Sequence, residues 1–239
     1  MRLIEEIIVT EDSPVIAIDG PSGSGKGVIT QKLAAHLGFH ILDSGALYRL
    51  IGLVAKKNGI DLGDEAALAE QARALDVRFE PTGDAEEPLK ILLEGADVTL
   101  ELRTDEAGVD ASRVAPLGAV RKGIGELQRS FKQPPGLVAD GRDMGTVVFT
   151  DAAVKIYLTA SAWARAERRY NQLKDKDIGV SLHDLFQSIQ ARDERDMNRK
   201  IAPLKPADDA YVIDSTELDI NQVFARVLSI VNEKLGSSA

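Results

Sequence analysis

The sequence predicts an α/β fold, a parallel sheet wrapped by helices on both faces. Three observations predict it. Short apolar, β-branched runs alternate with longer segments of helical periodicity. The runs are apolar throughout, as strands covered on both faces are. Most of them end in Asp, Ser or Gly, at the strand end where open parallel sheets bind ligands.

The elements follow in order. Val15–Ile18 is the first strand and Lys26–Leu37 the first helix, stopped by Gly38. Phe39–Leu42 is the second strand, ending in the turn Asp43-Ser44-Gly45; Ala46–Asn58 is helical and closed by Gly59. Asp64 caps a helix through Leu75. The pattern then changes: Val77–Glu80, Leu89–Leu93 and a segment around Val98 are short strand-like pieces, parted by the turns Pro81-Thr82-Gly83-Asp84 and Glu94-Gly95. They are expected to form a small antiparallel insertion over residues 76–103. Helical patterning runs from Thr104-Asp105-Glu106 to Phe131, broken near Pro116, and Pro134-Pro135-Gly136 ends it. Leu137–Ala139 and Val154–Leu158 are further strands. Ser161 caps a helix that becomes very polar, and the charged stretch 166–178, next to Gly179, is a candidate lid. Ser181 caps a second polar helix, Leu182–Arg199. Pro203 and Pro206 mark a loop, Tyr211–Ile213 a last strand and Ile220–Leu235 a last helix. One domain spanning 1–239, with these two embellishments, is expected.

Composition narrows the function. The net charge of −9 argues against a non-specific nucleic-acid coat, though not against a local basic pocket. Without cysteine there is no disulfide, zinc–thiolate site or thiol catalysis. His36, His40 and His183 are too scattered for a metal cluster. No apolar run approaches membrane-spanning length, and the acidic N-terminus lacks a signal-peptide core, so a cytoplasmic location is expected.

The chemistry starts at Val15-Ile16-Ala17-Ile18-Asp19, which leads into Gly20-Pro21-Ser22-Gly23-Ser24-Gly25-Lys26-Gly27. Strand, G-x-x-x-x-G-K loop and helix is the context of a phosphate cradle: inward N–H groups, a helix N-terminus and a lysine charge meet the anion. A flexible glycine turn would leave the lysine's spacing unexplained. The hydroxyl that usually follows the lysine and ligates magnesium is missing; Gly27 and Val28 stand there, and the nearest hydroxyl on the helix is Thr30. Many kinases of small nucleotides end the loop in this way.

The strand ends supply the rest. The apolar strand ending in Asp140 resembles one that carries a magnesium-holding carboxylate, so Asp19 and Asp140 are candidates for holding a metal through water. Arg142, between Asp140 and Asp143, exceeds what a turn needs. Asp214-Ser215-Thr216 reads as turn chemistry. Arg192, Asp196 and Arg199 share one helix face. Such a face is either a solvated ion-pair ladder or a set of arginines brought to a transferring phosphoryl group, and Arg165, Arg168 and Arg169 on the preceding helix are candidates for the same work. Three classes remain open: a kinase for a monophosphate or another small acceptor such as shikimate, a nucleotide switch, and a nucleic-acid modifier. The switch lacks an N-K-x-D motif; the modifier lacks a basic face.

The strings IAIDGPSGSGKG, LDSGALYR, DGRDMGTVVFTDAAVKIYL, RDERDMNR and APLKPADDAYVIDST, spread over residues 16–216, resemble the bacterial cytidylate kinases, members of the nucleoside monophosphate kinase superfamily of P-loop kinases. The resemblance implies a five-stranded parallel core, an insertion covering the monophosphate site and a short lid. It implies transfer of the ATP γ-phosphoryl group to CMP, and to dCMP. ATP would lie on Gly20, Pro21, Ser22, Gly23, Ser24, Gly25, Lys26, Gly27 and Val28, with Mg2+ carried by phosphates and water. Ser44, Tyr48, Arg49 and Arg142 would surround the acceptor phosphate; Ser112, Arg121 and Asp143 would read the cytosine edge; Arg192 and Asp196 would hold the pentose; Arg199 would reach base or phosphate. Lys26, Arg142, Arg199 and Arg168 would be catalytic. A monomer without nucleic-acid or membrane partners is expected. Family members commonly carry Thr or Ser where Val28 stands, so weaker donor or metal binding is expected here rather than lost activity. Val28→Thr should then tighten ATP or Mg2+ dependence in a titration of initial rates; unchanged dependence would contradict this.

Overall fold

The computed structural model describes residues 13–82, 89–174, 179 and 181–236. Its central strand is β1 (Val15–Asp19), buried along its whole length. The other strands of this sheet are β2 (His40–Asp43), β6 (Leu137–Gly141), β7 (Val154–Thr159) and β8 (Tyr211–Asp214), in the order β2-β6-β1-β7-β8. All four pairings are parallel, with Ile18 opposite Asp140 and Ile156, and Asp43 opposite Asp140.

Side-chain alternation along the strands builds two cores. Val15, Ala17, Leu137 and Ala139 pack on α2 (Ser44–Asn58), α3 (Glu65–Ala74) and α6 (Gly118–Ser130), through residues such as Leu47, Ile51, Leu68 and Ile124. Ile16, Ile18 and Val138 pack on α1 (Lys26–Leu37) and α9 (Ile220–Gly236), through Ile29, Leu33, Val223 and Val227. Gly38 and Gly59 end α1 and α2 in the left-handed region, as expected. Asp43, Asp64 and Ser181 cap α2, α3 and α8 (Leu182–Met197) with side-chain oxygens.

A second sheet pairs β3 (Val77–Pro81), β4 (Leu89–Leu93) and β5 (Ala96–Asp97) antiparallel. Part of the first expected turn, Gly83-Asp84, lies outside the described residues, as do 175–178 of the candidate lid and the N-terminal stretch 1–12. Val98 is not the strand centre its pattern indicated. It lies between β5 and a short helix, α4 (Thr99–Leu102), because the Asp97 carboxylate accepts from the Thr99 N–H at 3.0 Å and turns the chain. The helical stretch before the third core strand divides at Pro116 as expected, into α5 (Asp105–Val114), capped by Thr104, and α6. α8 also stops sooner than its charge pattern indicated. It ends at Met197, so Arg199 lies beyond the helix. α7 (Ala162–Lys174) precedes it.

Candidate active site

Loop 20–27 leaves β1 and enters α1 through Gly25, whose φ of 92° is left-handed. No side chain caps α1 and its first turn holds no acid, so its N-terminal N–H groups and dipole are left for a ligand. Ser24 Oγ is buried here without a hydrogen-bond partner. The Lys26 ammonium donates to the Pro21 carbonyl at 3.3 Å. Burial, and then the nearby Arg142, lower its pKa to about 7. Asp140 lies beneath the loop: a Cβ built on Gly27 would sit 3.8 Å from its Oδ2. Burial and the neighbouring Asp43 raise the Asp140 carboxyl well above the usual range.

Asp19 has a different task. Its two oxygens accept the Met144 and Gly145 N–H groups, each at 2.8 Å. This carboxylate holds a single π-helical turn, Met144–Val148, that the sequence pattern did not reveal. Burial nevertheless raises its pKa to about 6. With both oxygens on backbone amides, Asp19 is placed to shape the turn after Arg142 and Asp143, which leaves Asp140 as the better placed of the two metal candidates. Asp19→Asn turns one acceptor into a donor facing an N–H. A loss of about 1–3 kcal/mol in denaturant unfolding is expected, with KM for the acceptor rising more than KM for the donor.

Beyond the loop, arginines crowd one buried carboxylate. Asp196 accepts from Arg142 Nε at 3.0 Å and from Arg199. Burial opposes its ionisation, but Arg142 and Arg199 outweigh burial and hold its carboxyl below the usual range. Arg192 and Arg49 meet over Gly108, where an added Cβ would lie 3.1 Å from Arg192 Nη1 and 3.4 Å from Arg49 Nη2. Burial, then Arg142 and Arg49, lower the Arg192 pKa to about 9. The Nε groups of Arg192 and Arg199 are buried without partners. Arg49 is held by the Leu102 and Thr104 carbonyls at the foot of α5. Three guanidiniums, Arg142, Arg199 and Arg192, surround Asp196, Arg49 adjoins Arg192, and two of the Nε donors are unsatisfied, so the site can take up further negative charge.

Next to it, Arg121 pairs with Asp143 and donates to the Tyr48 hydroxyl at 3.0 Å. Burial raises Tyr48 to about 12. Ser112 is in a pocket with Arg113 and Arg199, its hydroxyl donating to the Gly108 carbonyl at 3.2 Å. Ser44 is buried at the start of α2 and accepts from Gln128 at 2.9 Å, a partner that the sequence reading missed. Of the residues expected at the acceptor, Arg142, Arg192, Asp196 and Arg199 meet although Arg199 is off the helix, and Tyr48, Arg121 and Asp143 form a linked group, while Ser44 turns to Gln128 and Ser112 lies within α5.

The other arginines have separate partners. Arg168 binds Ser215, and Arg169 reaches Asp105 at 3.0 Å. Asp214-Ser215-Thr216 has the expected turn chemistry, Asp214 accepting from the Thr216 N–H at 2.8 Å. The buried Ser215 hydroxyl donates to the Thr159 carbonyl at 3.0 Å and lies 3.4 Å from the Ser24 carbonyl, so this turn rests against the phosphate loop. Val28 is exposed in the first turn of α1.

Among the described residues, no helix is long and apolar enough to cross a membrane and no group of three or more His, Cys, Asp or Glu is arranged to hold a metal ion. A solved, uncharacterized protein from Eubacterium ventriosum aligns with 92% of this chain and 99% of its own at 12% identity and a TM-score of 0.48. A cytidylate kinase of Pseudomonas fluorescens is 60% identical over 218 residues, 91% of this chain and 94% of its own. One from Shewanella putrefaciens is 51% identical over 230 residues, 96% of this chain and 100% of its own. The family model described as cytidylate kinase matches residues 16–233, and the chain belongs to the cytidylate kinase family.

Proposed function

We propose that this enzyme transfers the γ-phosphoryl group of ATP to CMP, and also to dCMP, giving ADP and CDP or dCDP. The observation that carries the site assignment is the arginine cluster with its unsatisfied donors, between the lysine of the phosphate loop and the Arg121–Asp143 pair. A phosphate oxygen of CMP attacks the γ-phosphorus, the bond to the β-bridging oxygen breaks, and ADP leaves. The acceptor oxygen is already anionic, so no general base is required. Arg142, Arg199 and Arg49 hold the acceptor phosphate, Arg192 and Asp196 hold its pentose, and Lys26 with the loop amides holds the donor phosphates. Catalysis is then positioning and neutralisation of like charges. Arg168 acts from α7, through Ser215, to support the loop; this fits its contacts better than a direct role.

The residues fit ATP and Mg2+ unequally. The uncapped α1 start, Ser24 and Lys26 suit nucleotide phosphates. Gly27 offers no side-chain oxygen to the metal, and Asp140 is the residue that would hold Mg2+, through water. When bound, the ion supplies positive charge to the donor phosphates. Asp143 and Arg121 present an acceptor and a donor to the cytosine amino group and carbonyl.

An acceptor panel tests this. ADP release with CMP and dCMP should far exceed release with UMP or AMP; a preference for UMP or AMP would refute the specificity. The lysine gives a second check. Its pKa is lowered in the free protein, and donor phosphates favour the charged form, so binding raises it. Between that value of about 7 and the higher one in the complex, ATP binding should take up protons and weaken by up to about tenfold per pH unit. Calorimetry in buffers of different ionisation enthalpy measures the uptake, and proton release would contradict the assignment.

A further inference from the structure

Arg165 lies on α7 with the polar residues of the lid region, where an arginine invites a role at the transferring phosphoryl group. Its contacts give it another. The side chain is 4% exposed and every nitrogen has a partner. Nε donates to the Ala160 carbonyl at 2.9 Å, Nη1 to the Ser22 carbonyl at 2.9 Å and to Asp193 Oδ1 at 3.1 Å, and Nη2 to Asp193 Oδ2. Ser22 belongs to the phosphate loop. Asp193 is on α8, next to Arg192 and three residues before Asp196. The loop is seated on α7 at the same place: a Cβ built on Gly23 would lie 3.3 Å from Arg165 Cβ.

We infer that the Arg165–Asp193 pair is a positioning strut that fixes the helix carrying Arg192 and Asp196 to the donor loop and so couples the two substrate sites. The inference rests on the assignment of loop and arginine cluster to donor and acceptor. A planar guanidinium gripping a carboxylate through two bonds and a loop carbonyl through a third fixes distance and orientation together. Where the loop goes, α8 goes. A nucleotide that orders the loop therefore sets Arg192 and Asp196 for the acceptor, and by linkage the acceptor sets the loop equally for the donor. A further link from α7, Arg169 to Asp105, joins a half-buried arginine to an exposed carboxylate and contributes little rigidity.

The test is calorimetric titration of CMP with and without saturating ADP and Mg2+, a pair that cannot react. In the wild type, ADP should tighten CMP binding by about fivefold or more. Asp193→Asn keeps the shape and loses the charge; Arg165→Lys keeps the charge but cannot span Ser22 and Asp193 with a fork. In both, the ratio should fall towards about 1 while each nucleotide still binds alone, and Asp193→Glu should restore part of it. If Asp193→Asn misfolds, Arg165→Lys still decides. A wild type without coupling, or variants that melt earlier yet keep the full ratio, would overturn the inference. So would an equal loss in Asp105→Asn, because coupling would then run through Arg169. A protein that binds neither CMP nor ADP would instead refute the functional assignment itself.

Discussion

Replacing Lys26 with methionine is expected to lower kcat/KM for CMP phosphorylation by at least about 10²–10³-fold, the usual cost of removing one preorganised charge-stabilising donor. Methionine keeps the length of the stem and removes the ammonium. That group is held in surroundings hostile to its charge: burial and Arg142 both disfavour it. The free protein therefore has little to lose, and thermal unfolding should be unchanged or slightly raised. Activity and stability are expected to part company. A coupled ADP-release assay beside a melting curve checks this; a variant that melts early and retains its activity would show that Lys26 is structural.

Gly20→Ala should do the opposite, failing first as a fold. A Cβ at Gly20 would lie 2.0 Å from the carbonyl oxygen of Leu158. That atom belongs to β7, paired in parallel with β1 through Asp19 opposite Tyr157. Neither partner is the end of a flexible side chain, so either β1 separates from β7 or the loop tilts out of its cradle. A loss of about 4 kcal/mol or more is expected, at the severe end of single substitutions. For a chain of this length that is a drop of roughly 8–16 °C in Tm, with nucleotide binding lost in the remaining folded fraction. A variant that melts with the wild type and binds ATP would refute the contact.

Much of this architecture was legible because its signals are local. Gly38 and Gly59 mark helix ends through their own φ, and Asp64 and Ser181 cap their helices within three residues; Ser44-Gly45, expected as part of a turn, instead begins α2 because Asp43 caps it. The apolar runs identified the five core strands without showing their order, because strand neighbours such as Val15 and Leu137 are far apart in the chain. The site was legible as residue types at strand ends. Which arginine does what was not. Arg165, Arg168 and Arg169 look alike in sequence, yet their partners, Asp193, Ser215 and Asp105, come from three elements. Likewise the π-helical turn depends on a carboxylate 125 and 126 residues away. Val98 misled for a local reason: Asp97 competes for the backbone and starts a turn.

The grip of Asp19 on that turn has a consequence for how such an enzyme can be altered. Asp19 ends β1, and one peptide bond later Gly20 begins the donor loop. The same residue fixes the chain just after Arg142 and Asp143. On the proposed assignment of loop and turn to donor and acceptor, their separation is therefore governed by a single dipeptide at the centre of the sheet. Changing the acceptor by rebuilding the Arg142–Gly145 turn would displace the donor as well. New acceptor preferences are more readily engineered from Ser112, whose hydroxyl is held by the Gly108 carbonyl within α5, than from Arg121, which is tied to Asp143 in that turn.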